Sequence, residues 1–368
     1  MTLQEKFNQM RIDLNNGLID RGDEIDLALI AMITREHCLL VGPPGTAKSM
    51  LLDSLMQWLH GKRFNILLNR FSTPEEVFGP ISLRGLKEDR FVRVTTAKLP
   101  EAHLAFVDEI FKASSAILNT LLRILNERIY DVGDGTQIKV PLRLAVAASN
   151  EWPSAEGGKE LAAVFDRFLF RKTVLPIRSR TGLERLLWGT DHTPEITTSI
   201  TLEEIDEAAN QAQLLDFSQD AREAVMKILK ELSKEGVQPG DRRKFKCIRA
   251  CRAAAWLDGS DTVTTDHLEV LCHTLWDDPH EQPKKVSDTV LKIASPSAAR
   301  ISAHLLEVDE ILAETKITDL GSSATGLSKL TEVQRKLKGI KRSSKRDMAL
   351  SYVETEAKKL KRASLETF

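Results

Sequence analysis

Cys-Leu-Leu-Val at 38–41 runs directly into Gly-Pro-Pro-Gly-Thr-Ala-Lys-Ser at 42–49, and Leu51, Leu52, Leu55 and Leu59 follow at helical spacing. A four-residue apolar run bounded by glycine and proline reads as a buried strand, and the leucine pattern predicts a helix from about Lys48 to Leu59. Strand, glycine-rich loop and helix in that order form the context a phosphate-binding loop requires. Glycine and proline bend the chain so that successive N–H groups point at phosphate oxygens, and the helix N-terminus adds the positive end of its dipole. Gly42, Pro43, Pro44, Gly45, Thr46, Ala47, Lys48, Ser49 and Met50 are therefore the expected nucleotide-binding residues. Lys48 would supply a cation for the β- and γ-phosphates, solvent-facing until phosphate arrives, and the Ser49 hydroxyl would ligate Mg²⁺. The usual pattern carries Gly before the Lys; here it is Ala47, which reads as a variant loop whose backbone stays right-handed. A chance glycine-rich turn is the competing interpretation, and the order of elements counts against it.

Further along, LAFVDEI at 104–110 places Asp108 and Glu109 at the end of a second apolar strand. Ligands of open α/β sheets bind at that edge, so Asp108 is expected to hold the metal, directly or through water. Glu109 is expected to orient and activate the attacking water. Asn150 ends a third apolar run, Leu142–Ala148, and could help position that water, although asparagine at a strand end is more often a turn former. Arg167, in AVFDRF, reads on its own as a surface ion pair with Asp166. Arg242 reads as the first residue of a helix, inside a solvated basic cluster, DRRK.

The remaining pattern organises around these points. Residues 1–37 look helical, Arg63–Asn69 is a strand candidate, and 72–98 reads as a loop or small insertion. Ser114–Arg128 carries Leu118, Leu121, Leu122, Leu125 and Ile129 at helical spacing. YDVGDGTQIKV, ending at Val140, reads as a hairpin around its Asp-Gly turn. A short helix near Leu161–Phe165 leads to a strand at Phe170–Leu175. Alternating strands and helices predict an α/β domain over 1–176, a parallel sheet flanked by helices. An all-helical domain over 177–280 follows, with Asp241 and Thr265 as expected N-caps. A helical extension, 281–368, is expected to hold a stripe of Ile301, Leu305, Val308 and Leu312, a polar break at 321–326, and a hairpin. Its end, from Arg335 to Arg362, has eleven Lys or Arg against three Asp or Glu.

With 368 residues, 42% hydrophobic and 29% charged, the chain can bury a sizeable core, and its net charge of −1 gives no global push toward nucleic acid or membrane. No apolar run approaches the ~20 residues that span a bilayer. The charged start MTLQEKFNQMRIDL lacks a secretory signal, which points to a cytoplasmic protein. Cys247, Cys251 and Cys272 with His273 could suggest zinc, but no CxxC pair is present, and packing in a helical domain is the expected role.

GPPGTAKS, LAFVDEI, AVAASN and FDRF, in this order and spacing, resemble the MoxR family of AAA+ ATPases over about residues 15–275. RGDEIDLALIAMITREHCLLVGPPG and LNTLLRILNER resemble its RavA-like branch. The resemblance implies an AAA+ core with a helical lid, ATP and Mg²⁺, and a ring, usually a hexamer, with nucleotide between subunits. It implies that Asn150 is sensor 1, Arg167 the arginine finger reaching a neighbour's γ-phosphate, and Arg242 sensor 2, with Arg243 as an adjacent alternative. Arg21, Gly22 and Ile25 fall where the family packs the adenine. The segment 72–98 and the hairpin 131–140 match its pore-side insertion and the insertion before sensor 1. The implied activity is a chaperone-like remodeller of a protein client, often with a von Willebrand factor A domain partner. A nucleic-acid motor using Arg84, Lys87, Arg90, Arg93 and the basic tail is the alternative, though Glu88 and Asp89 interrupt that patch and no nucleic-acid module is recognisable. A nucleotide-gated scaffold is a third, which intact Glu109 and Arg167 disfavour.

Overall fold

A computed structural model describes residues 1–153, 158–189, 193–294, 296–315, 320–340 and 344–366. Two helices, α1 (Leu3–Gly17) and α2 (Gly22–Thr34), precede the first strand. α1 starts on a capping box in which Thr2 and Glu5 bond each other's backbone N–H groups. The chain then runs β1 (Cys38–Val41), α3 (Lys48–Trp58), β2 (Arg63–Leu67), short α4 (Pro74–Phe78) and α5 (Leu83–Lys87), and β3 (Leu104–Asp108). After these come α6 (Ser115–Glu127), β4 (Ile129–Asp131), β5 (Gln137–Lys139), β6 (Leu144–Ser149), α7 (Gly158–Arg167) and β7 (Phe170–Thr173).

Five strands pair in parallel in the order β2-β3-β6-β1-β7. Every residue of β1 and β6 is buried, as a parallel sheet covered on both faces demands. Ile117, Leu118, Leu121, Ile124 and Leu125 form the buried stripe of α6. The insertion and the hairpin are one unit. Arg93 N–H donates to Val132 O at 3.3 Å, Phe78 stacks on Tyr130 at 5.6 Å, and a Cβ on Gly133 would stand 2.6 Å from Phe91 O.

The second part comprises α8 (Arg180–Trp188), α9 (Leu202–Gln213), α10 (Gln219–Lys234), α11 (Asp241–Leu257), a 3₁₀ segment at Thr265–His273, and α12 (Gln282–Ala294). A two-residue parallel pair, β8 (Asp216–Phe217) with β9 (Thr262–Val263), ties its loops together. The expected caps shift by one residue. Gly240 caps α11, leaving Asp241 as its first residue, and Thr264 rather than Thr265 makes the capping box, with His267. Phe7 joins the two parts, edge-on to Trp58 at 4.9 Å and to Trp256 at 5.2 Å. One apolar core runs through both and on to Ala294, so α12 packs with this part rather than with the end of the chain.

The C-terminal helices α13 (Pro296–Glu314), α14 (Leu320–Lys338) and α15 (Ser344–Glu366) enclose a separate core that includes Ile301, Val308, Leu330, Val333 and Val353. The expected hairpin is thus a three-helix bundle, and the expected break at 321–326 lies inside α14. Small residues there serve close packing: Ser323 is buried, and a Cβ on Gly326 would meet Thr315 Oγ1 at 2.5 Å. Lys341 and Arg342 of the basic run lie outside the described residues. Among the described residues, no helix is long and apolar enough to cross a membrane.

Candidate nucleotide site

The loop after β1 depends on its glycines for two different reasons. Gly42 presses against the residue that follows β7, where a Cβ would stand 2.1 Å from Val174 O, and Gly45 adopts a left-handed turn at φ +77°. Ala47 also takes the left-handed conformation, at φ +63°, contrary to the right-handed backbone expected for it. It stands where α3 must start, so the loop's path dictates the torsion. A methyl group there costs roughly 1–2 kcal/mol.

Lys48 is not solvent-facing. It is 9% exposed, and Nζ donates to Gly42 O at 2.7 Å, Pro43 O at 2.9 Å and Thr46 Oγ1 at 3.3 Å. The ammonium therefore closes the loop on itself, satisfying carbonyl oxygens that would otherwise be unpaired. Burial lowers its pKa, with the Asp108 and Glu109 charges opposing and the Arg21 charge reinforcing that shift. Arg21, itself buried, ties the loop to the start of α2 through Nε to Thr46 O at 2.9 Å. Arg21 and Gly22 also line a cleft of about 440 Å³ with Leu175, Pro176 and Ile177. Ile25, expected beside them, is fully buried in the core instead. Ser49 and Met50 are exposed in the first turn of α3.

β3 brings two carboxylates to the same sheet edge. Asp108 Oδ1 accepts the Glu109 N–H at 2.9 Å. Burial raises the Asp108 carboxyl above its ordinary value, and the Glu109 charge adds to this while that N–H bond, Lys48 and Lys112 oppose it. Glu109 is 8% exposed, on left-handed backbone at φ +53°. Pairing of Val107 with Ala147 sets β6 beside β3, so Asn150 arrives next to Glu109. Its side-chain amide donates to Glu109 Oε1. Glu109 Oε2 is buried without a hydrogen bond among the described residues; Lys112 Nζ lies 3.2 Å away as an ion pair, off the direction a hydrogen bond needs.

Arg167 and Arg242 are not in this cluster. Arg167 closes α7 three residues before Phe170, which pairs with Cys38 at the start of β1. It therefore stands at the opposite edge of the sheet, roughly 13 Å away along a four-residue strand. Arg167 Nη1 donates to Asp166 Oδ2 at 2.8 Å, as the ion-pair interpretation expects, while its Nε is buried with no partner among the described residues. Arg242 is exposed and donates to Asn126 Oδ1 at the C-terminal end of α6. Arg243 is 6% exposed, donates to Thr274 O at 3.1 Å and Asp166 Oδ1 at 2.9 Å, and forms an ion pair with Asp277 Oδ1 at 3.1 Å. With Lys246 these arginines line a cavity of about 110 Å³.

Several participants escaped the sequence reading. Arg171 is 1% exposed, with its guanidinium 3.9 Å over the Phe165 ring. An arginine inside the apolar strand FLFRKTV was the available signal for it. Trp152, two residues past Asn150, packs edge-on against Phe165 at 6.0 Å and Trp276 at 5.5 Å. The cysteines behave as packing residues: Cys247, Cys251 and Cys272 are buried and not in disulfides, and burial lifts the Cys247 thiol to about 11. No group of three His, Cys, Asp or Glu that could hold a metal occurs among the described residues. Magnesium needs less, since it is commonly held by one or two carboxylates plus substrate phosphates.

A family model for the MoxR domain of MoxR–vWA–β-propeller ternary systems matches residues 5–210, and one for an AAA lid domain matches 220–290. Two uncharacterised proteins of Methanocaldococcus jannaschii are similar to the chain. One is 40% identical, with 83% of this chain and 79% of that protein covered; the other is 35% identical, with 99% and 91% covered. The chaperone MoxR1 of Mycobacterium tuberculosis is 25% identical over 43% of this chain and 41% of its own length. In fold the chain resembles the crystal structure of an inferred ATPase from Cytophaga hutchinsonii, at a TM-score of 0.62 and 16% identity, over 79% of this chain and 94% of that one. The family match over residues 5–210, the two relatives at 40% and 35% identity, and an α/β core with a parallel sheet followed by a helical lid place the chain in the MoxR family of AAA+ ATPases.

Proposed function

We propose that this protein is an ATP-hydrolysing ring subunit that remodels or activates a protein client. The observation that carries this reading is the split between Lys48, Asp108, Glu109 and Asn150 at one sheet edge and Arg167 and Arg242 at the other. Each chain then holds two half-sites, and head-to-tail association in a closed ring joins one to the next. The loop at 42–50 would bind the triphosphate, with Lys48 leaving its carbonyl partners for the phosphates. Mg²⁺, held by Ser49 and Asp108, would offset charge on the transferring phosphoryl group. Their chemistry fits: an exposed hydroxyl and a carboxylate at one edge leave room for waters and phosphate. Glu109 would take the proton of the attacking water once Asn150 releases it. Arg167, as arginine finger, and Arg242, as the lid's sensor, would act on the adjacent subunit's nucleotide.

A hexamer is the expected ring, with domains at 1–176, 177–280 and 281–368 as first approximations. A von Willebrand factor A domain partner is supported by the system the matching family model describes. The RavA-like placement rests on two stretches of sequence, RGDEIDLALIAMITREHCLLVGPPG and LNTLLRILNER. Four buried, unbridged cysteines suit a cytoplasmic protein. The remodeller is preferred to the nucleic-acid motor because Glu88 pairs with both Arg84 and Arg90, and Glu75 with Arg93, which interrupts the cationic strip on the insertion. The test is a mixing experiment. Arg167→Ala should bind ATP but hydrolyse it poorly, by roughly a thousandfold. Mixing it with Lys48→Ala should restore turnover at interfaces where an intact Arg167 meets an intact Lys48. Mixed oligomers without restored turnover would refute the shared site.

A further inference from the structure

One carboxylate serves three guanidinium groups. Asp166 Oδ2 accepts from Arg167 Nη1 at 2.8 Å, while Oδ1 accepts from Arg243 Nη2 at 2.9 Å and lies 3.9 Å from Arg171 Nη2. Arg243 belongs to the lid helix α11, Arg167 ends the core helix α7, and Arg171 is in β7. Asp277 closes the far side, 3.1 Å from Arg243 Nε and 3.5 Å from Arg171 Nη1. Arg243 also donates to Asp166 O at 3.2 Å, so the lid grips this residue by backbone and side chain.

The charges make this a fixed bridge. Burial alone would raise the Asp166 carboxyl, but the Arg243 bond and the Arg243, Arg171 and Arg167 charges outweigh it and hold the group below its ordinary value. Charge-assisted bonds to a largely buried arginine are stronger than surface ion pairs. Arg167 Nε remains buried and unpartnered among the described residues, a donor left for an incoming oxyanion.

We propose that Asp166 is a positioning residue for Arg167: it fastens the arginine to the lid through Arg243, so that a shift of the lid moves Arg167 with it. The inference rests on the reading that Arg167 serves the neighbouring subunit's nucleotide. The orientation of a guanidinium held at Nη1 is set by the carboxylate, and the carboxylate is set by α11. A displacement near 1 Å costs about a hundredfold in rate at a site of this kind.

Asp166→Asn keeps size but weakens both bonds. Its affinity for a fluorescent ATP analogue should stay within about twofold, while kcat falls about ten- to a hundredfold, short of the Arg167→Ala loss. Co-assembly with Lys48→Ala should restore turnover, because the Lys48→Ala subunit then supplies Arg167 held by an intact Asp166. A purely structural defect in the Asp166→Asn subunit would persist in the mixture. Arg243→Lys, which leaves Asp166 and Arg167 intact, should show the same loss and the same rescue, and it keeps the proposal open to refutation if Asp166→Asn does not fold. Arg243→Lys at full rate overturns the proposal. Rescue of Arg167→Ala without rescue of Asp166→Asn overturns it alone, whereas failure of both rescues overturns the shared site as well.

Discussion

The side-chain amide of Asn150 donates to Glu109 Oε1, while Lys112 sits 3.2 Å from the carboxylate's other oxygen. The carboxylate proposed to activate water is thus held by the amide proposed to sense the nucleotide. Its left-handed backbone, φ +53°, fixes where the side chain starts.

Glu109→Gln should separate binding from turnover. The amide keeps the size and can still accept from Asn150, but it cannot take a proton, which is worth about a hundredfold or more. ATP affinity should change by no more than a few fold in a fluorescence titration, while phosphate release falls below about 1% of wild type. Release at the wild-type rate would remove Glu109 from this role. Glu127 could not easily replace it, since that residue ends α6 and pairs with Arg123 at 3.3 Å.

Lys48→Ala should abolish ATP binding, and it should also loosen the loop. Three contacts from Nζ to Gly42, Pro43 and Thr46 disappear, and two carbonyl oxygens lose a donor. An unmade bond at a buried group costs about 1–3 kcal/mol, relieved in part by water entering the loop. Calorimetry should show no heat of ATP binding, and the melting temperature of the nucleotide-free protein should fall by a few degrees. Near-wild-type affinity would contradict the assignment of the loop.

Much of this site was legible because its parts are local. Strand, loop and helix at 38–59 and the carboxylates ending β3 are set by short stretches, and parallel pairing brings Asn150 beside Glu109. What the sequence hid depends on partners far along the chain. The torsion of Ala47 and the burial of Lys48 follow from the loop's path against Val174 and Arg21. The lid bridge joins Asp166, Arg171, Arg243 and Asp277, charged residues spread over more than a hundred positions, and nothing local pairs them. The break expected at 321–326 failed for a related reason: small residues that suggest a loop also permit close helix packing, and only the neighbouring helix distinguishes the two.

His37 should make the protein acid-sensitive. It is fully buried, with Nδ1 accepting the Ala145 N–H at 3.0 Å and Nε2 against Leu125 O at 3.1 Å. Burial, reinforced by the Arg128 and Lys246 charges and opposed by the Leu125 bond, holds its pKa well below the ordinary value. The unfolded chain therefore binds the proton first, so stability rises with pH between the folded value and about 6.5 and is lost on acidification through that window. Urea midpoints at pH 7.5 and 5.5 should show about 1.4 kcal/mol more acid loss for wild type than for His37→Asn. Equal losses would mean that this histidine is protonated in the folded protein.

The C-terminal bundle should be removable, but only at the right place. Its core is its own, and the ion pair that reaches back to α8, Lys359 to Glu184 at 3.9 Å, joins two half-exposed groups and contributes little. The position of the cut decides the outcome. Ending the chain near 320, as a break at 321–326 would suggest, removes α14 and α15 and bares Ile301, Val308 and Ile311 on α13. Each such side chain forfeits about 1.5–3 kcal/mol of burial, and the exposed stripe should drive aggregation. Ending at Ala294 removes α13 as well and leaves the larger core closed by α12. That shorter protein should melt as cooperatively as the full chain and hydrolyse ATP within a few fold of it, while the chain cut near 320 elutes as aggregate. If the Ala294 truncation assembles yet loses all turnover, the bundle is part of the catalytic assembly rather than an appendage to it.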